Sequence, residues 1–129
     1  KYANSGFTLR SPLKSVYNTI VAAFSDCGLF LEADFYLEKM LDISRLDPCD
    51  SSVDFWNSDT LNELVYYDSK VYVKLGMGDV AGAEQAAVDM QAILTEREIP
   101  EDGRAFFLLQ KEFTDLYLRL YQQKDKAVI

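Results

Sequence analysis

Few residues of this chain could do chemistry. Glu96, Glu98, Glu101 and Asp102 crowd around Pro100, and four carboxylates at that spacing could hold a cation. The competing reading is structural, because acidic residues beside a proline favour the N-terminus of the next helix, and it is preferred. Cys27 and Cys49 are the only cysteines, and with no histidine present they cannot build a zinc site. They read as idle thiols of a reducing compartment, with a disulfide between them as the alternative. Gly76-Met77-Gly78 is not a phosphate loop, since no strand precedes it and no Lys-Ser/Thr follows. No motif places a nucleophile beside a base. The expectation is a chain without catalytic residues, without a metal or cofactor, and without a small-molecule substrate.

Charge narrows the choice of partner. Residues 1–46 balance five acidic against five basic side chains, whereas residues 47–103 hold thirteen acidic against three basic. The net charge of −8 therefore belongs to the middle of the chain. That sign repels a phosphate backbone within a Debye length of roughly 8 Å at physiological salt, unless basic groups gather locally. The one local basic pair there is Lys70 with Lys74, on a helical stripe with Glu63 and Tyr67. It reads as a solvated face, with contact to a nucleic acid or an acidic partner as the alternative. The longest uninterrupted apolar run, Ile20 to Phe24, falls far short of the roughly 20 residues of a membrane helix, so no membrane contact is expected. The first residue, Lys1, is expected of a processed form or a fragment.

The elements that must carry these residues are helices. Leu13, Val16, Tyr17, Ile20, Val21 and Phe24 follow the i, i+3, i+4, i+7 stripe of a helix opened by Ser11 as N-cap and Pro12 in the first turn. A second helix is predicted over 29–46, with Ala33, Leu37, Met40 and Ser44 on one face and Asp34, Glu38 and Asp42 toward another. Asp47-Pro48 ends it. Residues 49–58 read as an ordered insertion whose Trp56 packs back onto the helices; an exposed aromatic anchor for a partner is the alternative. A third helix, over 59–75, carries Leu61, Leu64, Val65, Val71, Tyr72 and Leu75 inward, with Asp68 interrupting that face. A fourth carries Val80, Ala83, Ala87, Met90 and Leu94. A fifth, over 101–123, turns Phe106, Leu109, Phe113, Leu116, Tyr117 and Leu120 inward, and residues 124–129 fray.

Four landmarks recur at an interval of 50: Tyr17, Gly28, Ala33 and Met40 return as Tyr67, Gly78, Ala83 and Met90. A common interval points to one helical hairpin used twice. The expected fold is all-α: about five helices forming antiparallel hairpins stacked as a short α-solenoid. It is a single domain over 1–129, with units at 12–48 and 59–100, the insertion between them, and an extra helix at the end.

The string Val16-Tyr17-Asn18-Thr19-Ile20, followed by Gly28, Ala33, Met40 and Pro48, resembles one pentatricopeptide repeat. The second copy keeps Tyr67, Gly78, Ala83 and Met90 but has Asp68 in place of Asn18. Together the matched units cover about 85 residues. Tetratricopeptide repeats are the weaker resemblance, and the 50-residue unit is longer than the family's repeat of about 35. The resemblance implies an α-solenoid inside the cell, in a mitochondrion or plastid. It also implies single-stranded RNA as ligand, with Asn18 and Asp68 in the base-reading position. Where the family often carries a lysine toward the phosphates, this chain has Asp26 and Gly76. Two units would also grip only about two nucleotides. A non-enzymatic scaffold that docks another protein chain, as a subunit of a larger assembly, is therefore preferred to an RNA binder of organellar RNA metabolism. Candidate ligand-facing residues are Asn18, Asp68, Lys70, Lys74, Trp56 and Tyr66.

Overall fold

The computed structural model describes the backbone of residues 5–46, 55 and 58–128, and the side chains of 16–42, 55 and 58–123. Five α-helices and no strand occur among the described residues: α1 (Ser5–Asp26), α2 (Phe30–Leu46), α3 (Asp59–Gly76), α4 (Val80–Glu96) and α5 (Glu101–Val128). None of them is long and apolar enough to cross a membrane.

Two of the tight turns are built alike. Gly28 and Gly78 hold φ at +77° and +81°, a region an L side chain enters only with strain. At the first turn, Gly28 N–H donates to the Ser25 carbonyl (3.1 Å) and Leu29 N–H to that of Phe24 (2.8 Å). At the second, Gly78 N–H donates to Leu75 (3.0 Å) and Asp79 N–H to Lys74 (2.8 Å). The paired bonds satisfy carbonyls that each helix end would otherwise leave open. Each turn sends the next helix back antiparallel, giving the hairpins α1–α2 and α3–α4. Ala33 and Ala83 are fully buried, so two helices approach closely at both places. Met40 and Met90 are buried beyond them.

Capping fixes the ends of the second hairpin. The Ser58 hydroxyl donates to the Phe55 carbonyl (2.6 Å) and accepts from Leu61 N–H (3.2 Å), opening α3. Asp79 accepts from Gly82 N–H (2.9 Å) and opens α4. At the far end, Arg97 bonds Glu63 and the Thr60 hydroxyl, tying the exit of α4 to the first turn of α3. Arg104 then donates to the Leu94 and Arg97 carbonyls, so α5 is pinned to the end of α4.

Helix α3 is the centre of the stack. It touches α1, α2, α4 and α5 and is apolar on several sides. Tyr66 and Val73 join Val21, Ala33, Leu37, Met40 and Leu41 in one cluster with α1 and α2. Leu64 joins Met90, Ile93 and Leu94, and Val71 and Leu75 join Ala83, Ala86 and Ala87, in two further clusters with α4.

Four expectations need correction. Helix α1 begins at Ser5, so Ser11 is not its N-cap and Pro12 lies inside it; a proline forfeits one helical hydrogen bond, and the helix continues across that local loss. Val16 is exposed, because α1 packs through Val21, Tyr17 and Phe24 instead. Helix α5 continues through 124–128 rather than fraying there. It is also turned the other way: Gly103, Phe107, Lys111, Thr114 and Leu118 are buried, while the apolar stripe expected inward faces out.

Candidate docking surface

The outward stripe of α5 is a row of large apolar side chains left exposed. Leu109, Phe113, Leu116 and Leu120 are spaced i, i+4, i+7, i+11, on one face of the helix, and are 46–55% exposed. Tyr117 borders them and meets the Tyr72 ring at 4.7 Å between centroids; Phe106 is exposed near the helix start. The inward face is set by what α3 and α4 offer. Phe55 lies directly over Gly103, where a Cβ would come within 2.5 Å of its ring. Phe107 packs edge-on against Phe55 (6.2 Å). Leu118 reaches the alanine-rich surface of α4, and Thr114 is needed by Asp68.

That last contact places one sequence-derived candidate. The Thr114 hydroxyl donates to Asp68 Oδ1 at 2.6 Å. Burial pushes the Asp68 carboxyl above its ordinary range, and the Thr114 bond pulls it part of the way back. Asp68 is thus a packing contact between α3 and α5 rather than an open reader of a base edge. Asn18 is exposed and lines a mixed depression with Val21, Ser25, Asp26, Phe30, Ser69, Tyr72 and Tyr117, contributed by α1, α2, α3 and α5.

The other candidates lie on the opposite side of α3, against α2. Lys74 Nζ sits 3.3 Å from Asp34 Oδ1, and Lys70 Nζ 4.0 Å from Glu38 Oε1. Tyr66 donates to Glu38 Oε1 at 2.5 Å and accepts from Lys70 at 3.1 Å. The lysines are neither a solvated face nor a free basic patch; their acidic partners are the α2 residues Asp34 and Glu38. Tyr66 is only 2% exposed, so it is not an exposed anchor. Burial, then the bond to Glu38, raises its hydroxyl pKa far above that of a free tyrosine. Trp56, Cys49, Pro48 and most of the insertion lie outside the described residues; Cys27 is exposed.

A separate groove between α4 and the packed side of α5 is floored by Ala87, Val88, Ala92 and Leu118 and meets the edge of the stripe at Asp115. Lys111 bridges its edge to Asp115 at 2.7 Å. The α5 surface was missed because periodicity identifies an apolar face without saying whether the same chain covers it. The signal that could have been used is the polarity of the face that is buried: Lys111 and Thr114 serve as partners to Asp115 and Asp68.

Compared with protein-family models, curated proteins and solved structures, the chain matches none. The pentatricopeptide resemblance rests on the residues quoted for it.

Proposed function

We propose that this chain is a non-enzymatic helical docking module that binds another protein through the exposed stripe of α5. The observation that carries the reading is the row Leu109, Phe113, Leu116 and Leu120, about half exposed on a helix whose other side is packed on α3 and α4. Half-exposed side chains of this size present on the order of 400 Å² together, within the range of functional apolar patches on monomers. A partner burying a matching area brings the gross gain to about 20 kcal/mol at 25 cal/mol per Å². Association costs roughly 4–15 kcal/mol, so the surplus of about 5–16 kcal/mol admits affinities from about 0.2 mM down to the picomolar range.

The charges favour protein over single-stranded RNA. The two lysines of the acidic middle are engaged by Asp34 and Glu38, and Asp68 is held by Thr114. The depression that holds Asn18 contains Asp26 and no basic side chain. Phosphate contacts supply much of RNA affinity, so this face offers little of it.

The test is a pair of titrations of the chain at about 50 mM salt, where phosphate-driven binding is strongest. One uses a labelled amphipathic helical peptide, the other a short single-stranded RNA. Expected is peptide binding that weakens at least tenfold in Leu116→Asp, which places a charge in the apolar contact, and no RNA binding. RNA binding at micromolar or better that weakens in Asn18→Ala would overturn the proposal.

A further inference from the structure

We infer that the occupant of the α5 surface is an amphipathic helix of a partner protein, lying antiparallel to α5 and bearing basic residues along its flanks. The inference rests on the docking reading above and specifies its ligand. Two independent observations carry it.

The first is how the stack covers α3. That helix is sandwiched: Tyr66 and Val73 face α2, while Leu64, Val71 and Leu75, on the roughly opposite side, face the antiparallel α4. Helix α5 repeats half of this. Phe107, Lys111, Thr114 and Leu118 face α4 and α3, and the opposite side presents Leu109, Phe113, Leu116 and Leu120. A helix seated there continues the stacking by which α4 covers α3. The cover on α3 shows what fits: α4 meets it with Ala83, Ala86 and Ala87, small enough for close approach, and with Met90, Ile93 and Leu94 beyond.

The second is charge. Helix α4 carries Glu84, Asp89 and Glu96 and no basic residue. Around the stripe and the neighbouring groove stand Glu84, Glu96, Glu112 and Asp115 against Lys111 and Arg119. The rim is net acidic, although α5 itself balances five acidic against five basic residues. A second copy would bring the same sign to the contact, whereas lysine or arginine flanks complement it.

The experiment uses the full chain and two synthetic helical peptides with the same alanine and leucine face, one flanked by lysines and the other by glutamates. Anisotropy titrations at about 50 and 300 mM salt are paired with sedimentation of the chain alone. The lysine peptide is expected to bind about tenfold tighter at low salt, since each exposed ion pair contributes a factor of roughly 1.5 to 5, and the gap narrows at high salt. Leu116→Asp, with unchanged circular dichroism, is expected to abolish both. Equal binding of the two peptides, or preference for the glutamate one, refutes the basic partner while the docking reading stands. Binding of neither refutes the docking reading itself. A chain that sediments as a dimer and becomes monomeric in Leu116→Asp refutes the partner helix in favour of a second copy.

Discussion

Replacing Thr114 by valine keeps the shape of a fully buried side chain and removes its only hydrogen-bond donor. The lost contact is a short bond to a carboxylate, at 2.6 Å. A hydrogen bond to a charged group contributes about 1.5–3 kcal/mol. The added methyl returns about 0.8 kcal/mol of apolar burial. The expected net loss is about 1–2 kcal/mol, a fall in Tm of roughly 4–10 °C for a domain of this size. Asp68→Asn acts oppositely near neutral pH, because it removes a buried charge while an amide oxygen can still accept from Thr114. The pH sign follows from linkage. The Asp68 carboxyl is raised in the folded chain, so the fold holds this proton to higher pH than the unfolded chain does. Its contribution to stability is therefore greatest at low pH and declines as pH rises from the ordinary carboxyl value through the folded one. Thermal melts of both variants and the native chain between pH 4 and 8 on the order of one-unit steps are the assay. The advantage of Asp68→Asn should be largest near neutrality and shrink on acidification. An unchanged Tm in Thr114→Val, or an advantage that grows on acidification, would refute the placement of this pair between α3 and α5.

Ala83→Leu should destabilise by about 1–3 kcal/mol, seen as a lower denaturant midpoint, because three added heavy atoms enter a fully buried helix contact. Gly103→Ala sets two effects against each other: alanine's helix propensity favours it by about 1 kcal/mol, while the new Cβ would lie 2.5 Å from the Phe55 ring. Overpacking at about 1–3 kcal/mol is the larger, so a lower Tm is expected; a higher Tm would show that Phe55 moves aside freely. Leu116→Asp should leave stability within about 0.5 kcal/mol, as for other exposed positions, whereas a large loss would place Leu116 in a packed contact.

Where a helix starts and what it buries were unequally legible. The two glycine turns, Ala33, Ala83, Met40 and Met90 could be read directly, because positive φ and close helix approach each demand a particular residue type. The start of α1 could not, since Pro12 carries the signal of a helix beginning while also being tolerated within one. Lys70 and Lys74 were legible as a basic pair, but their partners lie on another helix, 32 and 40 positions away in the cases of Glu38 and Asp34. Periodicity within α3 cannot report that. The orientation of α5 was the largest reversal. Its strongest apolar stripe suggested a core, yet the side that packs is chosen by the fit of Gly103 under Phe55 and of Thr114 against Asp68. Such pairwise matches have no period. The leftover apolar stripe then becomes the candidate site.

The most direct test is an NMR titration of the isotopically labelled chain with the lysine-flanked helical peptide, following backbone amide shifts. Expected are changes confined to Leu109–Leu120 of α5, its contact Tyr72 and the Glu84–Thr95 flank of α4, with Asn18, Ser25 and Ser69 unmoved. Shifts centred instead on those three residues, with the α5 stripe silent, would contradict docking through α5.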